Sequence, residues 1–358
     1  MPYKRNEKID VLKGICILFV VITHFEWSGE SRLHFLFPFW IDQAVPIFMI
    51  VSGYLLAKTF EHRKISCLSE AYNRKYIFEK MVRFLLPFAI IFSIEIMIEL
   101  KRQMLYGLCD GRIFNGILNL FIVGGVGPGA YYVPVMIQLV LVYPFVYFLV
   151  KKFDYLAVIR IFILSLIWEY LKVAYGMSDY EYRLLIVRYL FAVSVGCYFA
   201  IGRTIPTKTT ATAVFGMGLV WLTIDQYYCH IPFFLNKNWS GTSCLDVMYI
   251  APIIFCYLGS KVNFAKLPVL QKMGKASYHI FLFQKLFYSF LYSYVGRFLD
   301  HKFAKLIIFI IICVSGGVIF YRVEFKISKF VIEYIRKKIS KFDGKMSILF
   351  GRLVKSRV

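Results

Sequence analysis

An all-α, polytopic integral membrane protein is the fold class this sequence predicts, on three observations. Hydrophobic residues fill 59% of the 358 positions and charged residues only 18%, with a mean hydropathy of +0.64. Apolar stretches of about 17 to 25 residues, enough to cross a hydrocarbon core of about 30 Å, recur along the whole chain. The cations gather in alternate connections between those stretches. A soluble domain would have to hide 36 phenylalanines and 26 tyrosines behind too little polar surface.

About ten spans follow in order, at 9–25, 39–57, 82–100, 131–150, 155–174, 183–201, 209–228, 245–259, 276–296 and 303–321. Lys4 and Arg5 before the first would suit a secretory leader, but no small-residue cleavage site follows, and the bulky THFEWSGESR sequel favours a retained helix. The second contains Asp42 and Pro46, and its Ser52-Gly53 pair allows close helix contact or a bend. The third opens KMVRFLLP, with Lys80 and Arg83 one turn apart and Pro87 one turn on. Segment 113–123 is too short to cross, and the GGVGPGA after it suggests an interfacial or re-entrant piece. The eighth is short and contains Pro252. Cys16, Cys197, Cys256 and Cys313 fall in apolar spans as packing thiols, whereas Cys109, Cys229 and Cys244 are placed to face outward, with room for one external disulfide.

The net charge of +22 invites a nucleic-acid partner, but its placement argues for a membrane instead. Lys4, Arg5 and Lys8 precede span one, and Lys58, Arg63, Lys64, Arg74, Lys75 and Lys80 join spans two and three. Lys151, Lys152, Arg203, Lys208, Lys261, Lys266, Lys272 and Lys275 fill later connections on the same side. Opposite loops are poorer in cations, with Lys101, Arg102 and Arg112 as exceptions, so the positive-inside rule puts both termini in the cytoplasm. That agrees with an even number of spans. The stretch 326–358 reads as a basic cytoplasmic tail against anionic lipid, following one integral-membrane unit at 1–325.

Within the first span, Lys13 and His24 lie eleven residues apart, which at about 100° per residue returns to within about 20° of one direction and about 16 Å along the axis. Asp10 falls within about 60° of that direction. Ionisable residues on one face of a membrane helix mark a functional site by default. Asp10 is placed to pair with Lys13 at i,i+3, and is about 21 Å along the axis from His24, too far to orient its imidazole. Glu26, Glu95, Glu169 and Asp225 are the carboxylates at the level of His24. Arg188, five residues inside span six, is suited to an acceptor hydroxyl or to an outer carboxylate. No metal-ligand cluster, nucleotide-binding glycine loop or nucleophile elbow offers a rival chemistry.

Taken together, these residues resemble the membrane-bound acyltransferase family 3, integral-membrane enzymes that O-acylate sugars and other acceptors. The resemblance runs over essentially the whole chain. It is carried by the basic residue and histidine of LKGICILFVVITH, by VPIFMIVSGYLL, by KMVRFLLP, by Tyr131 and Tyr132 with the later Tyr143 and Pro144, and by Glu324 in YRVEFKISK. In GKASYHIFLFQ, Gln284 stands where the family commonly has histidine, and His279 is not at the matching position. That departure argues against chemistry at position 284.

The resemblance implies acetyl transfer from cytoplasmic acetyl-CoA to a hydroxyl of a cell-envelope or exported polysaccharide, or of its lipid-linked precursor. The setting it implies is multi-pass in a bacterial plasma membrane. In that scheme His24 is the general base, with Lys13 and Asp10 on the donor side. Lys80 and Arg83 hold the CoA phosphates, and Tyr131, Tyr132, Arg188 and Ser52 contact substrate. Trp27, Trp40 and Trp239 suit either sugar stacking or an interfacial aromatic belt. Two other readings stand beside this one: a transporter or flippase for a lipid-linked glycan, and a membrane subunit that has kept the fold without the chemistry.

Overall fold

The structure, a computed structural model, describes residues 6–105, 113–228, 244–260, 267–298 and 300–355. Trp239, Cys109, Cys229, Arg112, Lys4, Arg5, Lys261 and Lys266 lie outside the described residues. Among those described there is no strand, and the all-helical expectation holds.

The Asn6 side chain accepts from the Lys8 N–H and so starts α1 (Glu7–Thr23), which ends at His24. A short α2 (Gly29–His34) and a 3₁₀ turn at Phe37–Phe39 turn the chain back into α3 (Ala44–His62). The single turn α4 (Leu68–Ala71) precedes the long α5 (Arg74–Leu105), which carries Pro87 within it. After α6 (Ile113–Val123) and the glycine-rich loop come α7 (Tyr132–Phe153), α8 (Tyr155–Ala174) and α9 (Asp179–Arg183). A 3₁₀ turn at Ile186–Tyr189 runs into α10 (Leu190–Ile201), followed by α11 (Lys208–Tyr227), α12 (Asp246–Gly259) and α13 (Pro268–Lys275). The expected ninth span is built as α14 (Ser277–Leu286), a π turn at Phe287–Leu291 and α15 (Tyr292–Gly296). The last helix, α16 (Lys302–Lys355), continues without a break past the expected end of span ten.

Among the described residues, four helical stretches are long and apolar enough to cross a membrane: Phe37–His62, Leu68–Lys101, Tyr132–Phe153 and Lys302–Tyr334. Ile186–Ile201 and Asp246–Gly259 are shorter apolar helices. The outer surface suits lipid: Ile159, Ile163 and Ile167 form an exposed row along α8, as do Phe303, Ile307 and Ile311 along α16. Large aliphatic rows at helical spacing, turned away from the core, are the reverse of a water-facing helix.

Two glycine-mediated crossings bring the inner helices together. A Cβ on Gly53 would lie 2.1 Å from the Val193 carbonyl oxygen, and one on Gly196 1.8 Å from that of Ile50, so α3 and α10 approach backbone to backbone. In the same way Gly14 and Gly274 let α1 cross α13, a Cβ on Gly274 falling 1.7 Å from the Asp10 carbonyl oxygen. Because Gly53 faces α10, its neighbour Ser52 points about 100° away, toward the space between α3 and α7. The Tyr143 hydroxyl on α7 donates to the Gly53 carbonyl at 2.8 Å and ties the third member to this group. Two lysines of the basic connections serve as helix caps: Lys58 donates to the Ala200 carbonyl at 2.8 Å and Lys8 to that of Leu258 at 3.2 Å.

The cysteines depart from expectation at two places. Cys16, Cys197 and Cys313 are buried as packing thiols, but Cys256 is exposed on the rim of α12, and Cys244, expected to face outward, is buried where its backbone N–H donates to Glu169.

Candidate functional site

Lys13, Ile17, Val20 and His24, at spacings of four, three and four along α1, line one side of a cavity of about 250 Å³. Val45, Phe48, Ser52, Leu55 and Thr59 present the facing stripe of α3. Lys80 and Phe84 of α5, Tyr132 and Met136 of α7, and Ser277, Tyr278 and Phe281 of α14 complete the wall. The long dimension therefore runs parallel to the helices, about 16 Å from the level of Lys13 to that of His24. Its middle is mainly apolar, with the Ser52 and Tyr132 hydroxyls as the exception. Polar groups collect at the ends, with Lys13, Lys80 and Thr59 at one and His24 and Tyr131 at the other.

At the basic end, Lys80 lies over the Tyr76 ring at 5.6 Å, with the Arg63 guanidinium on the same ring at 4.7 Å. Arg63 also reaches Glu79 at 3.8 Å. Arg83 is exposed and does not line the cavity, although it and Arg63 stand close enough to act on the Lys80 charge. Asp10 is buried at the α1–α13 crossing and is likewise off the cavity wall.

His24 closes the other end. Its Nδ1 lies 3.2 Å from Gln284 Oε1, its ring meets the Tyr288 ring edge-to-face at 6.2 Å, and Gly129 covers its Cε1 edge. An amide oxygen only accepts, so this contact selects the tautomer with the proton on Nδ1 and leaves the Nε2 lone pair available. None of the four expected carboxylates supplies this partner. Glu95 is engaged with Lys285, Glu169 with the Cys244 N–H, Asp225 with Gln226, and Glu26 with Lys305. Position 284, discounted on sequence for lacking histidine, is the one that holds His24.

Behind Gln284 sits a second arrangement that periodicity did not expose. Lys285 and Glu95 are fully buried, with Nζ 3.0 Å from Oε1, and Lys285 also donates to the Gly124 carbonyl at 2.6 Å. Glu95 Oε2 accepts from the Val126 N–H at 3.0 Å. The glycine loop thus wraps an ion pair, and Gly125 at φ 91° leaves no room for a side chain: a Cβ there would meet Glu95 at 2.3 Å. One clamp ties α5, α14 and the loop that places Gly129 and Tyr131 beside His24. The π turn at Phe287–Leu291 follows at once and lets Tyr288 donate to the Val21 carbonyl at 3.0 Å. A lysine inside an apolar run was the sequence signal for this clamp.

Of the remaining expected residues, Ser52, Tyr131 and Tyr132 line the His24 cavity, Ser52 facing the Tyr132 hydroxyl. Arg188 belongs to a different, polar cavity that shares only Tyr131 and Val45 with the first. Trp27 and Trp40 join a cluster of rings with Phe25, Phe35 and Phe37 outside both cavities. His279 and Glu324 pair with each other at 2.8 Å, between α14 and α16, again outside the cavities. No group of three metal-ligating side chains occurs among the described residues.

Comparison with known proteins gives the family. No curated protein and no solved structure matches the chain. The model of the family 3 acyltransferase domain matches residues 6–322, which holds both lysines, the histidine and every helix that lines the cavity. The chain belongs to the acyltransferase family 3 and is a membrane acyltransferase.

Proposed function

We propose that this enzyme moves an acetyl group from cytoplasmic acetyl-CoA to a hydroxyl of a cell-envelope or exported glycan, with His24 as general base. The observation that carries this reading is the cavity itself: an apolar passage with cations at one end and a hydrogen-bonded imidazole at the other. Ten spans with both termini in the cytoplasm put Lys13 and Lys80 on the donor side and His24 toward the outside. The nucleotide phosphates of CoA rest against Lys80, with Arg83 and Arg63 beside it. Lys13, its charge balanced by Asp10 one turn earlier, lines the passage through which the acyl arm runs beside Ser52 and Tyr132.

At the far end, His24 Nε2 takes the proton of the acceptor hydroxyl as its oxygen attacks the thioester carbonyl. The tetrahedral intermediate collapses with cleavage of the carbon–sulfur bond, and the thiolate takes the proton back from the imidazolium. The products are the O-acetyl ester and CoA thiol. Gln284 holds the ring through Nδ1 while Nε2 cycles. The 1–325 unit contains all of these groups, and the basic stretch 326–358 lies against anionic lipid.

The test is release of CoA thiol and transfer of radiolabelled acetyl by the purified chain in nanodiscs, supplied with envelope glycan. His24→Ala is expected to lower transfer by about 10²–10⁴-fold. Equal transfer by the two proteins would remove His24 from the mechanism.

A further inference from the structure

On the far side of Tyr131 and Val45 lies the second cavity, of about 340 Å³, whose walls are mainly polar where those of the first are mainly apolar. Thr23, the residue before His24, lines it. Arg32 donates to the Thr23 carbonyl at 3.2 Å and to its hydroxyl at 3.1 Å, and is ion-paired with Asp42. Thr23 in turn donates to Asp42 at 3.1 Å. This network forms a rigid floor one residue from the imidazole.

Two observations point to a ligand above that floor. Gln43 is 1% exposed, and although its Nε2 donates to the Pro38 carbonyl at 2.8 Å, its Oε1 has no hydrogen-bond partner among the described residues. A buried amide oxygen left in that state is costly, and Gln43 is one of the residues that line the cavity. Arg188 is also buried on this wall, with its guanidinium over the Tyr182 ring at 5.5 Å and the Tyr189 ring at 5.9 Å.

Charge decides the class of ligand. Arg32, Arg183 and Arg188 face Asp42 and Asp246 across the cavity, and Arg188 acts on the adjacent Glu169. Arg32 is already paired with Asp42, and neither Arg183 nor Arg188 is free, so the wall offers an incoming anion no unengaged cation and sets two carboxylates against it. Interleaved donors and acceptors beside tyrosine rings match the alternating edge and flat face of a sugar ring.

We infer that this chamber is the acceptor site and takes an uncharged pyranose ring, presenting one hydroxyl past Tyr131 and Val45 to His24. The inference rests on the acetyl-transfer reading, because it gives the acceptor a place next to that base. It adds residues, Gln43 and Gln226 above all, and a charge class.

The experiment measures CoA thiol release by the full chain in nanodiscs. It uses saturating acetyl-CoA and a panel of methyl hexopyranosides of gluco, galacto and manno configuration, each beside its methyl hexuronide. At least one neutral glycoside is expected to stimulate release, and to outperform its uronide about ten-fold or more in kcat/KM. Gln43→Leu and, at the rim, Gln226→Leu are each expected to raise the KM for that glycoside about ten-fold while the affinity for acetyl-CoA stays within about two-fold. Gln226 is only half-buried, so its variant tests the chamber even where Gln43→Leu fails to fold. Stimulation by uronides alone, by no member of the panel, or with a KM unmoved by either variant overturns the assignment. Failure of the wild type to bind acetyl-CoA removes the underlying reading instead, and this one with it.

Discussion

Two cavities meet at Tyr131 and Val45, and they are built on opposite principles. The inner one is lined by the faces of long helices, with mainly aliphatic and aromatic side chains along its length and charged groups only at its ends. The outer one is lined by helix ends and turns, and nearly every wall carries a side chain that donates or accepts. An apolar passage recognises an acyl arm by shape and by excluding water, which also protects a thioester from hydrolysis. A polar chamber recognises a polyol by hydrogen bonds that water would otherwise satisfy. Thr23 belongs to the outer cavity and His24 to the inner, so the reaction proposed above falls at the boundary between two solvation regimes.

The largest effect is expected where the support of that boundary is broken. Lys285→Met leaves Glu95 charged, buried and without its cation, and is expected to destabilise the fold by about 3–5 kcal/mol. Thermal unfolding in nanodiscs reads this directly. The double variant Glu95→Leu with Lys285→Met is expected to recover most of the stability, since an apolar pair of similar volume often replaces a buried ion pair at little cost. Its transfer rate should stay low, because the loop carrying Gly129 and Tyr131 loses its anchors at Gly124 and Val126. Full recovery of both would mean that the clamp does not position the site.

Next in size is Gln284→Leu, which removes the acceptor for His24 Nδ1 and lets the ring choose the other tautomer. A fall of about ten- to a hundred-fold in kcat is expected, with both substrate KM values little changed. A change confined to acceptor KM would move Gln284 from the inner site to the outer.

The same contrast explains what could be read from the sequence. Lys13 and His24 share a helical face by spacing alone, and Ile17 and Val20 between them complete the stripe seen in the cavity wall. The glycine run GGVGPGA is legible as an interfacial or re-entrant piece, and the structure gives the reason for its glycines: Gly124, Gly125, Gly127 and Gly129 all adopt positive φ where the backbone turns tightly. The outer chamber had no such signature. Arg32 comes from α2, Asp42 from the turn before α3, Arg188 from a 3₁₀ turn, Gln226 from the end of α11 and Asp246 from the start of α12. Residues from five separate ends obey no period. The partner of His24 is hidden for a related reason: it lies 260 positions away, and an uncharged amide carries no mark in an apolar run. Of the helices expected to span, four among the described residues pass on length and apolarity together. Several of the others are short, charged or interrupted, as polar groups at an internal site require.

The wall itself gives a smaller and more specific effect. Tyr131→Ala would join the two cavities, and water from the polar chamber would reach the thioester. Acetyl-CoA hydrolysis relative to acetyl transfer is expected to rise about ten-fold, read by comparing thiol release with ester formation. An unchanged ratio would mean that the cavities are already continuous at this level.

The smallest expected effect tests the inner cavity alone. Ser52 lies midway along α3, faces Tyr132, and adjoins the Gly53 that fixes the α3–α10 contact from the other side of the helix. Ser52→Ala removes a single hydroxyl and leaves that contact intact, so the loss is that of one hydrogen bond, about 1 kcal/mol, or about five-fold in donor KM. Acceptor KM should not move, because Ser52 does not line the outer chamber. If acceptor KM rises instead while donor KM holds, the sugar reaches below Tyr131, and the division of labour between an apolar donor passage and a polar acceptor chamber is drawn at the wrong residue.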